Sequence, residues 1–465
     1  MKNKITKRDF LKAATFGTAS AIALSCGLLT PNEESEIMTD PLSTSASVLV
    51  LGAGIAGLAA ARALTEQGRS VIILEARNRV GGRMWTDSSL GVPLDLGASW
   101  IHGVNGNPIT KLAKQFGVKT VPTDDENSIM FNADGSEHSD VEWEETESLF
   151  EEIYEEVALM QEETESDTSL QDAFDAVLSE YDLSDEQIRR LNYYAYLGTS
   201  LEYGADMNDL SLWEWDQDEE FGGEEVIFPG GYNQITNVLA KGLDIRLETV
   251  VKTIRYGDDG VVVETTAGDF VADQAVVTFP LGVLKQASVK FEPPLPESKQ
   301  SAIQKLAMGV LNKVYLRFPE VFWDENVETI SYLGDVLGEW SDWLSFVPFT
   351  GEPVLMAFHG GDKGFALENL SDDVIVAGAM KTLQVMFGES VPEPIGVLIT
   401  RWGKDPFALG AYSHIPPFAS GEDYDALFEP VDDKLYFAGE ATSREYPSTV
   451  HGAYLSGLAA AREML

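Results

Sequence analysis

The residues best suited to chemistry begin at Gly52-Ala53-Gly54-Ile55-Ala56-Gly57, where three glycines remove the side chains that would keep backbone away from a phosphate. Glu75 follows 18 residues after Gly57, an acceptor spaced to take the hydroxyl hydrogens of a ribose. Arg83 closes the run Arg77-Asn78-Arg79-Val80-Gly81-Gly82-Arg83, a planar donor fork beside two more glycines. Further along stand His102, the lone cation Lys313 in a strand-like stretch, and the tyrosines Tyr412 and Tyr446. Phosphate cradle, ribose acceptor and bidentate arginine describe a dinucleotide site. The glycine motif by itself does not distinguish NAD from FAD.

These residues need particular elements to hold them. Ser47-Val48-Leu49-Val50-Leu51 is a continuous aliphatic run of the buried parallel type, Leu58 to Gln67 carries helix formers with Gly68 as a stop, and Val71 to Glu75 is a second strand ending in its acid. Together they predict a βαβ unit in which Gly52 makes the turn, Gly54 admits the pyrophosphate to the helix N-terminus and Gly57 lets helix meet strand. Strand-like runs are expected at Ile245 to Val251, Val261 to Thr265 and Gln274 to Thr278, with a turn and helix from Val226 to Lys241 before them. Alternation sets Lys313 opposite Val314, Leu316 and Phe318 across its strand. Residues 124–186 hold 24 Asp and Glu and no Lys or Arg, yet Trp143, Leu149, Phe150, Ile153, Tyr154 and Val157 recur at helical spacing, so an amphipathic helix with an acidic outer face is expected. A second helix is expected from about Ser184 to Leu201.

At 465 residues, 44% hydrophobic and 23% charged, the chain is globular and long enough for two domains. Its formal net charge of −44 excludes nucleic acid as a partner. The lone Cys26 excludes internal disulfides, and five scattered histidines give no spaced metal set. Lys2, Lys4, Lys7, Arg8 and Lys12 precede the uncharged run Ala13 to Leu29, which is short for a membrane span. Thr6-Lys7-Arg8-Asp9-Phe10-Leu11-Lys12 resembles a twin-arginine export signal, and Ala23-Leu24-Ser25-Cys26 a lipoprotein box. The expectation is export to the periplasm with a lipid anchor at Cys26, or a cytoplasmic protein should the signal not function. Residues 1–45 then form signal and linker.

The GGR stretch resembles that of flavin-dependent amine oxidases. Gly97-Ala98-Ser99-Trp100-Ile101-His102-Gly103 is similar to their polyamine and spermine oxidase branch, taken here in its bacterial form. Pro280 to Lys285, the Lys313 stretch, Arg401-Trp402 to Ser413, Leu435 to Thr442 and Tyr446 to Gly457 resemble further segments of the same family. The resemblance implies an α/β, two-domain fold: a Rossmann-like FAD domain from residues 46–125, 226–290 and 430–465, and a mixed-sheet and helical substrate domain from 126–225 and 291–429. It implies FAD held by Gly52, Ala53, Gly54, Ile55, Gly57, Glu75, Ala76, Arg77, Gly82, Arg83, Gly97, Ala98, Ser99, Trp100, Val251, Trp402, Gly439, Glu440, Thr449 and Val450, and no metal.

By the same resemblance a neutral amine lies between Tyr412 and Tyr446, its α-carbon gives a hydride to flavin N5, and water held near Lys313 hydrolyses the imine. Oxygen then restores the flavin and leaves as peroxide, so the partners are a small cationic amine and O2. His102 orients the amine or a water, and stands where some polyamine oxidases carry a glutamate. Glu202 is the expected clamp for a distal ammonium, with Asp124 and Asp125 behind it. An L-amino-acid or monoamine oxidase stays open, with Arg401 and Arg444 as the carboxylate fork the former requires. A desaturase or protoporphyrinogen-type oxidase and a non-enzymatic FAD- or polyamine-binding module stay open as well.

Overall fold

The computed structural model describes residues 43–124 and 127–465. The expected export signal, most of the expected linker, Cys26 and Asp125 therefore lie outside the described residues. No helix among the described residues is long and apolar enough to cross a membrane, and no group of His, Cys, Asp or Glu among them could hold a metal ion.

Val48–Leu51 is aliphatic at every position, and all four residues are buried. A strand with no polar face belongs in the middle of a covered parallel sheet. It does lie there: Val71–Leu74 and then Asp244–Arg246 extend the sheet on one side, Gln274–Val277 and then Leu435–Phe437 on the other, all parallel. The helix Ile55–Glu66 covers one face, and Val450–Glu463 lies so close to it that a Cβ on Gly457 would sit 2.2 Å from the Ala56 carbonyl oxygen. Strands from three distant stretches of chain thus build one sheet around the glycine turn.

A second, six-stranded sheet runs in the order Gly396–Ile399, Leu311–Arg317, Val354–Gly360, Asp342–Ser345, Thr329–Leu333, Ser128–Asn132, antiparallel except for the last pair. Val314 and Leu316 pack with Ile375, Ala379 and Leu383 of the helix Asp372–Phe387, whereas Tyr315 packs with Leu94 and Leu344 on the opposite face. Period-two alternation then puts Lys313 on the face of Tyr315, away from that helix. The acidic stretch forms Asp140–Glu163, followed by Leu170–Leu178 and Asp185–Gly198, each begun by a serine whose hydroxyl accepts an amide of the first turn. These helices bury Ile153, Tyr154, Val157, Phe174 and Leu191 in their own core.

One expected strand does not exist as a unit. The run Ile245 to Val251 divides into the end of Asp244–Arg246 and the start of Val251–Gly257, because Glu248 adopts φ +54° and turns the chain between two sheets. Alternating apolar text continues through the turn, so hydrophobicity alone joins what the backbone separates.

Two glycines of the turn make different demands. A Cβ on Gly57 would lie 2.1 Å from the Gly52 carbonyl oxygen, whereas one on Gly54 meets nothing within 4 Å. Gly57→Ala is therefore expected to force helix from strand and cost about 1–3 kcal/mol, read as a fall of several degrees in thermal midpoint. Gly54→Ala should move the midpoint by less than about 1 kcal/mol equivalent, since a poorer N-cap is offset by a stiffer unfolded chain. Equal losses in the two variants would contradict this account.

Candidate active site

A continuous chamber of about 3250 Å³ runs from the glycine turn to the acidic helices. Every expected cofactor residue lines it except Ala53 and Gly57, which serve it from behind. The Ala53 N–H donates to Glu75 Oε2 at 2.7 Å, and the Arg77 N–H to Oε1 at 2.8 Å, so the Glu75 carboxylate is fixed at the chamber wall by two backbone bonds. Gly52 takes φ +118°, where any side chain is strained, and its Cβ would meet Thr278 Oγ1 at 2.4 Å.

Fit to a dinucleotide follows from what the wall leaves open. The helix Ile55–Glu66 has Gly54 at its N-cap, no side-chain cap and no acid in its first turn, so its leading amides and its dipole face the chamber. Asn107, Ser139, Ser169 and Ser184 cap other helices with side-chain oxygens. Gly54 and Gly439 both meet nothing where a Cβ would stand, so backbone is bared to the chamber at two points. Those amides, the acceptor Glu75 and the nearby arginines form the donor and acceptor set that a pyrophosphate and ribose require.

Two arginines are committed more tightly than their sequence position suggests. Arg77 pairs bidentately with Asp405 at 2.8 Å through each nitrogen. Arg83 Nη1 donates to Glu440 Oε1 and to the Ala411 carbonyl, both at 2.8 Å. Glu440 Oε2 accepts from the Ser413 hydroxyl at 2.6 Å and from the N–H groups of Ser413 and Ser448, each at 3.2 Å. Thr449 caps the last helix by accepting the Gly452 N–H, as its spacing predicts. Trp402 is anchored through Nε1–H to the Leu96 carbonyl.

Lys313 is 3% exposed and lines the chamber. Its Nζ donates to the carbonyls of Asp95 and Gly97 at 3.0 and 2.6 Å and to Ser99 Oγ at 2.5 Å, fastening the Gly97–Trp100 loop to the large sheet. Burial pulls the Lys313 ammonium down, opposed by the charge of Asp95. Burial pushes the Asp95 carboxyl up, against hydrogen bonds from Thr86 and the Tyr232 N–H and the charge of Lys313. Solvent exposure, the ordinary state of a strand lysine, is excluded.

At the amine end the two tyrosines are placed differently. Tyr412 lines the chamber and donates to the Leu201 carbonyl at 3.1 Å. Tyr446 does not line it; its ring stacks on Phe221, centroids 5.0 Å apart and 7° from parallel, and Phe221 is the chamber residue. Glu202, in the short helix Ser200–Tyr203, and Asp124 both line the wall. His102 lines it too, with Nδ1 2.7 Å from Glu225 Oε2. The segment from Glu214 to Glu225 carries Asp216, Asp218, Glu219, Glu220 and Glu224 along the wall. Sequence reasoning overlooked Phe221 and Glu225, although the acid-flanked Phe221-Gly222-Gly223 was a signal for a close-packed loop. Of the two arginines for a carboxylate fork, Arg401 is not at the chamber and pairs with Asp372, while Arg444 reaches the chamber and pairs with Asp425.

A family model described as flavin containing amine oxidoreductase matches residues 55–465. Polyamine oxidase 2 of Arabidopsis thaliana is 38% identical over 90% of this chain and 88% of its own length. Lysine-specific histone demethylase 1 homolog 2 of the same plant is also 38% identical, over 91% of this chain, which spans only 59% of that relative. A solved structure of a putrescine oxidase double mutant, from a redesign of its cofactor binding, aligns with TM-score 0.73 over 90% of this chain and 99% of that one, at 21% identity, a likeness of fold. The named relatives with a stated source are plant proteins, so the bacterial form expected from the sequence is not borne out. With the family model spanning residues 55–465 over a chamber built for a dinucleotide, the chain belongs to the flavin containing amine oxidoreductases, a family whose chemistry is amine oxidation, and its cofactor is FAD.

Proposed function

We propose that this protein oxidises a polyamine, spermine or spermidine, at a carbon–nitrogen bond, converting amine, water and O2 to aldehyde, shortened amine and hydrogen peroxide. The observation that carries the reading is the wall at the amine end, where Asp124, Glu147, Glu202, Asp216, Glu220 and Glu225 are among the carboxylates facing the chamber. An extended polycation matches such a wall, and a monoamine uses little of it. The curated polyamine oxidases that resemble this chain over nearly their whole length support the same reading. The amino-acid alternative loses its fork, because Arg401 is held away from the chamber by Asp372.

FAD, when bound, accepts two electrons and a hydrogen from the amine's α-carbon and passes the electrons to oxygen. Gly52, Gly54 and Ile55 would hold its pyrophosphate with Arg83 alongside, Glu75 its ribose, and the backbone of Val251 its adenine. Glu440 fixes Arg83, Ser413 and Ser448 at the middle of the chamber. Lys313 fixes the Gly97–Trp100 loop and presents a cation's field where charge develops. Tyr412 and Phe221 offer apolar surface that disfavours charge on the reacting nitrogen, while outlying carboxylates keep the remaining ammonium groups charged.

Purified protein should be yellow and lose its visible absorbance on anaerobic addition of spermine or spermidine. Gly54→Val, which fills the open cradle, should cut flavin content by about tenfold or more. A colourless wild-type protein that cannot be loaded with FAD overturns the assignment.

Lys313→Met should keep bound flavin yet slow turnover on the order of tenfold or more. Unchanged turnover at full flavin occupancy removes Lys313 from the reaction. In steady-state assays, polyamines should outcompete monoamines, amino acids and a methyllysine peptide. Their kcat/KM should fall more steeply with salt than the monoamine value, because ions screen steering over about 8 Å at physiological strength. Glu202→Gln should raise polyamine KM several-fold with little change in kcat. Better turnover of any competitor class, or unaltered polyamine kinetics in that variant, counts against the polyamine wall.

A further inference from the structure

We infer that Glu368 and Asn312, neither of which lines the chamber, are positioning residues that hold Trp402 and Lys313 in fixed relation against the loop from Asp95 to Ser99. The inference rests on the flavin site and on the part given to Lys313 in the proposed reaction.

The chamber wall at this loop is gripped twice. Lys313 Nζ donates to the Asp95 and Gly97 carbonyls and to Ser99 Oγ, and Trp402 Nε1–H donates to the Leu96 carbonyl at 2.9 Å. A Cβ on Gly97 would lie 3.3 Å from the indole, so the ring rests against the loop's backbone.

Behind the wall the two grips share one base. Asn312 is fully buried, and its amide is used on both sides. Oδ1 accepts the Trp402 N–H at 3.0 Å and the Thr400 hydroxyl at 3.1 Å; Nδ2 donates to Glu368 Oε1 at 2.9 Å and to the Gly364 carbonyl at 3.2 Å. A backbone N–H only donates and a backbone carbonyl only accepts, so the amide has one orientation. The Thr400 hydroxyl accepts the Lys313 N–H at 2.8 Å, which brings the lysine's own backbone into the network.

Glu368 is 4% exposed and follows the helix Gly361–Leu367. Its Oε1 also accepts the Gly403 N–H at 2.7 Å, so one oxygen takes a donor from the Lys313 strand and another from the Trp402 turn. The helix cannot slide to compensate. A Cβ on Gly364 would stand 2.5 Å from Val310 and 2.6 Å from the His359 carbonyl oxygen, and Lys404 Nζ holds the Glu368 carbonyl at 2.7 Å.

Buried polar groups are tolerated when each has its partner, and a fully paired network favours one arrangement. Without the Glu368 oxygen, Asn312 Nδ2–H and the Gly403 N–H are stranded together, and the Trp402 turn must move to satisfy them. The indole moves with it, and the Gly97–Trp100 loop keeps only its grip from Lys313. A misplacement of about 1 Å can cost about a hundredfold in rate, so the loss should appear in the chemical step before it appears in amine binding.

Both bonds to the carboxylate fall on Oε1, so a glutamine carbonyl can replace it, whereas leucine offers no acceptor. In hydrogen–deuterium exchange of the apoprotein, residues 400–405 should exchange about tenfold faster in Glu368→Leu and within about twofold of wild type in Glu368→Gln. With FAD bound, the limiting rate of anaerobic bleaching by spermine should fall about tenfold in the leucine variant and less than about twofold in the glutamine variant, with apparent spermine affinity changed less than about twofold in either. Gly403→Ala reaches the same carboxylate from outside, because its Cβ would stand 2.8 Å from Glu368 Oε2 while every polar group stays in place. It should shift exchange and bleaching in the same directions by about threefold. Unchanged exchange, a glutamine variant as slow as the leucine one, or a loss confined to spermine affinity would each overturn the role. If Glu368→Leu does not fold, Gly403→Ala decides in its place. A wild-type flavin that spermine does not bleach sinks the polyamine reading instead, while hydrogen exchange continues to judge Glu368.

Discussion

Around one buried carboxylate, four parts of the chain are brought to a common point. Glu440 is 4% exposed, and an ionised group that deep is tolerable only when its lone pairs are taken by well-placed donors. It receives Arg83 from beyond the first βαβ unit, Ser413 twice from the segment after Trp402, and Ser448 from just ahead of the last helix. Each donor sits on a different chamber-lining stretch. Removing the carboxylate would strand a guanidinium and release the loops on either side, so the chamber's middle depends on this cluster more than on any single hydrophobic contact.

The two ends of the chamber are electrostatically unlike, and the fold keeps them apart by using different materials. Near the parallel sheet the wall is backbone: amides of an uncapped helix, glycines without side chains, and a glutamate pinned by two N–H bonds. At the far end the wall is side chain, with carboxylates from the Ser200–Tyr203 helix and from the segment 214–225. Between them lies Lys313, its Nζ spent on two carbonyls and a hydroxyl. Burial works against the cation in that position, and Asp95 is near enough to offset part of the desolvation.

The cofactor half of the site was legible in the sequence because its logic is local. Strand, glycine turn, helix and acid fall within 28 residues, from Val48 to Glu75, and each constraint acts on neighbours in the chain. Lys313 was legible for a different reason, as a charge among alternating apolar residues. What sets the Tyr446 ring is its stack on Phe221, 225 positions earlier, and no spacing rule spans that interval. Glu225 was passed over since it reads as one more acid in an acidic run; its place is marked by the Gly103 N–H that it accepts, a contact only the fold creates. The continuous strand expected through Val251 failed because a positive φ at Glu248 leaves no mark in hydrophobicity.

The order of strands in the parallel sheet has a kinetic consequence. Val48–Leu51 leaves the ribosome well before Leu435–Phe437, which completes its sheet, and before Val450–Glu463, which covers its helix. At a synthesis rate of roughly 5–20 residues per second, the alanine-rich face of that early helix waits on the order of tens of seconds for its partner. During that interval an apolar surface and two sheet edges are open to whatever is nearby. The net charge of −44 works against such encounters, since nascent chains of like charge repel one another before they can pair. The acidity that lines the finished chamber thus also guards a chain in which an early strand must wait for a late one.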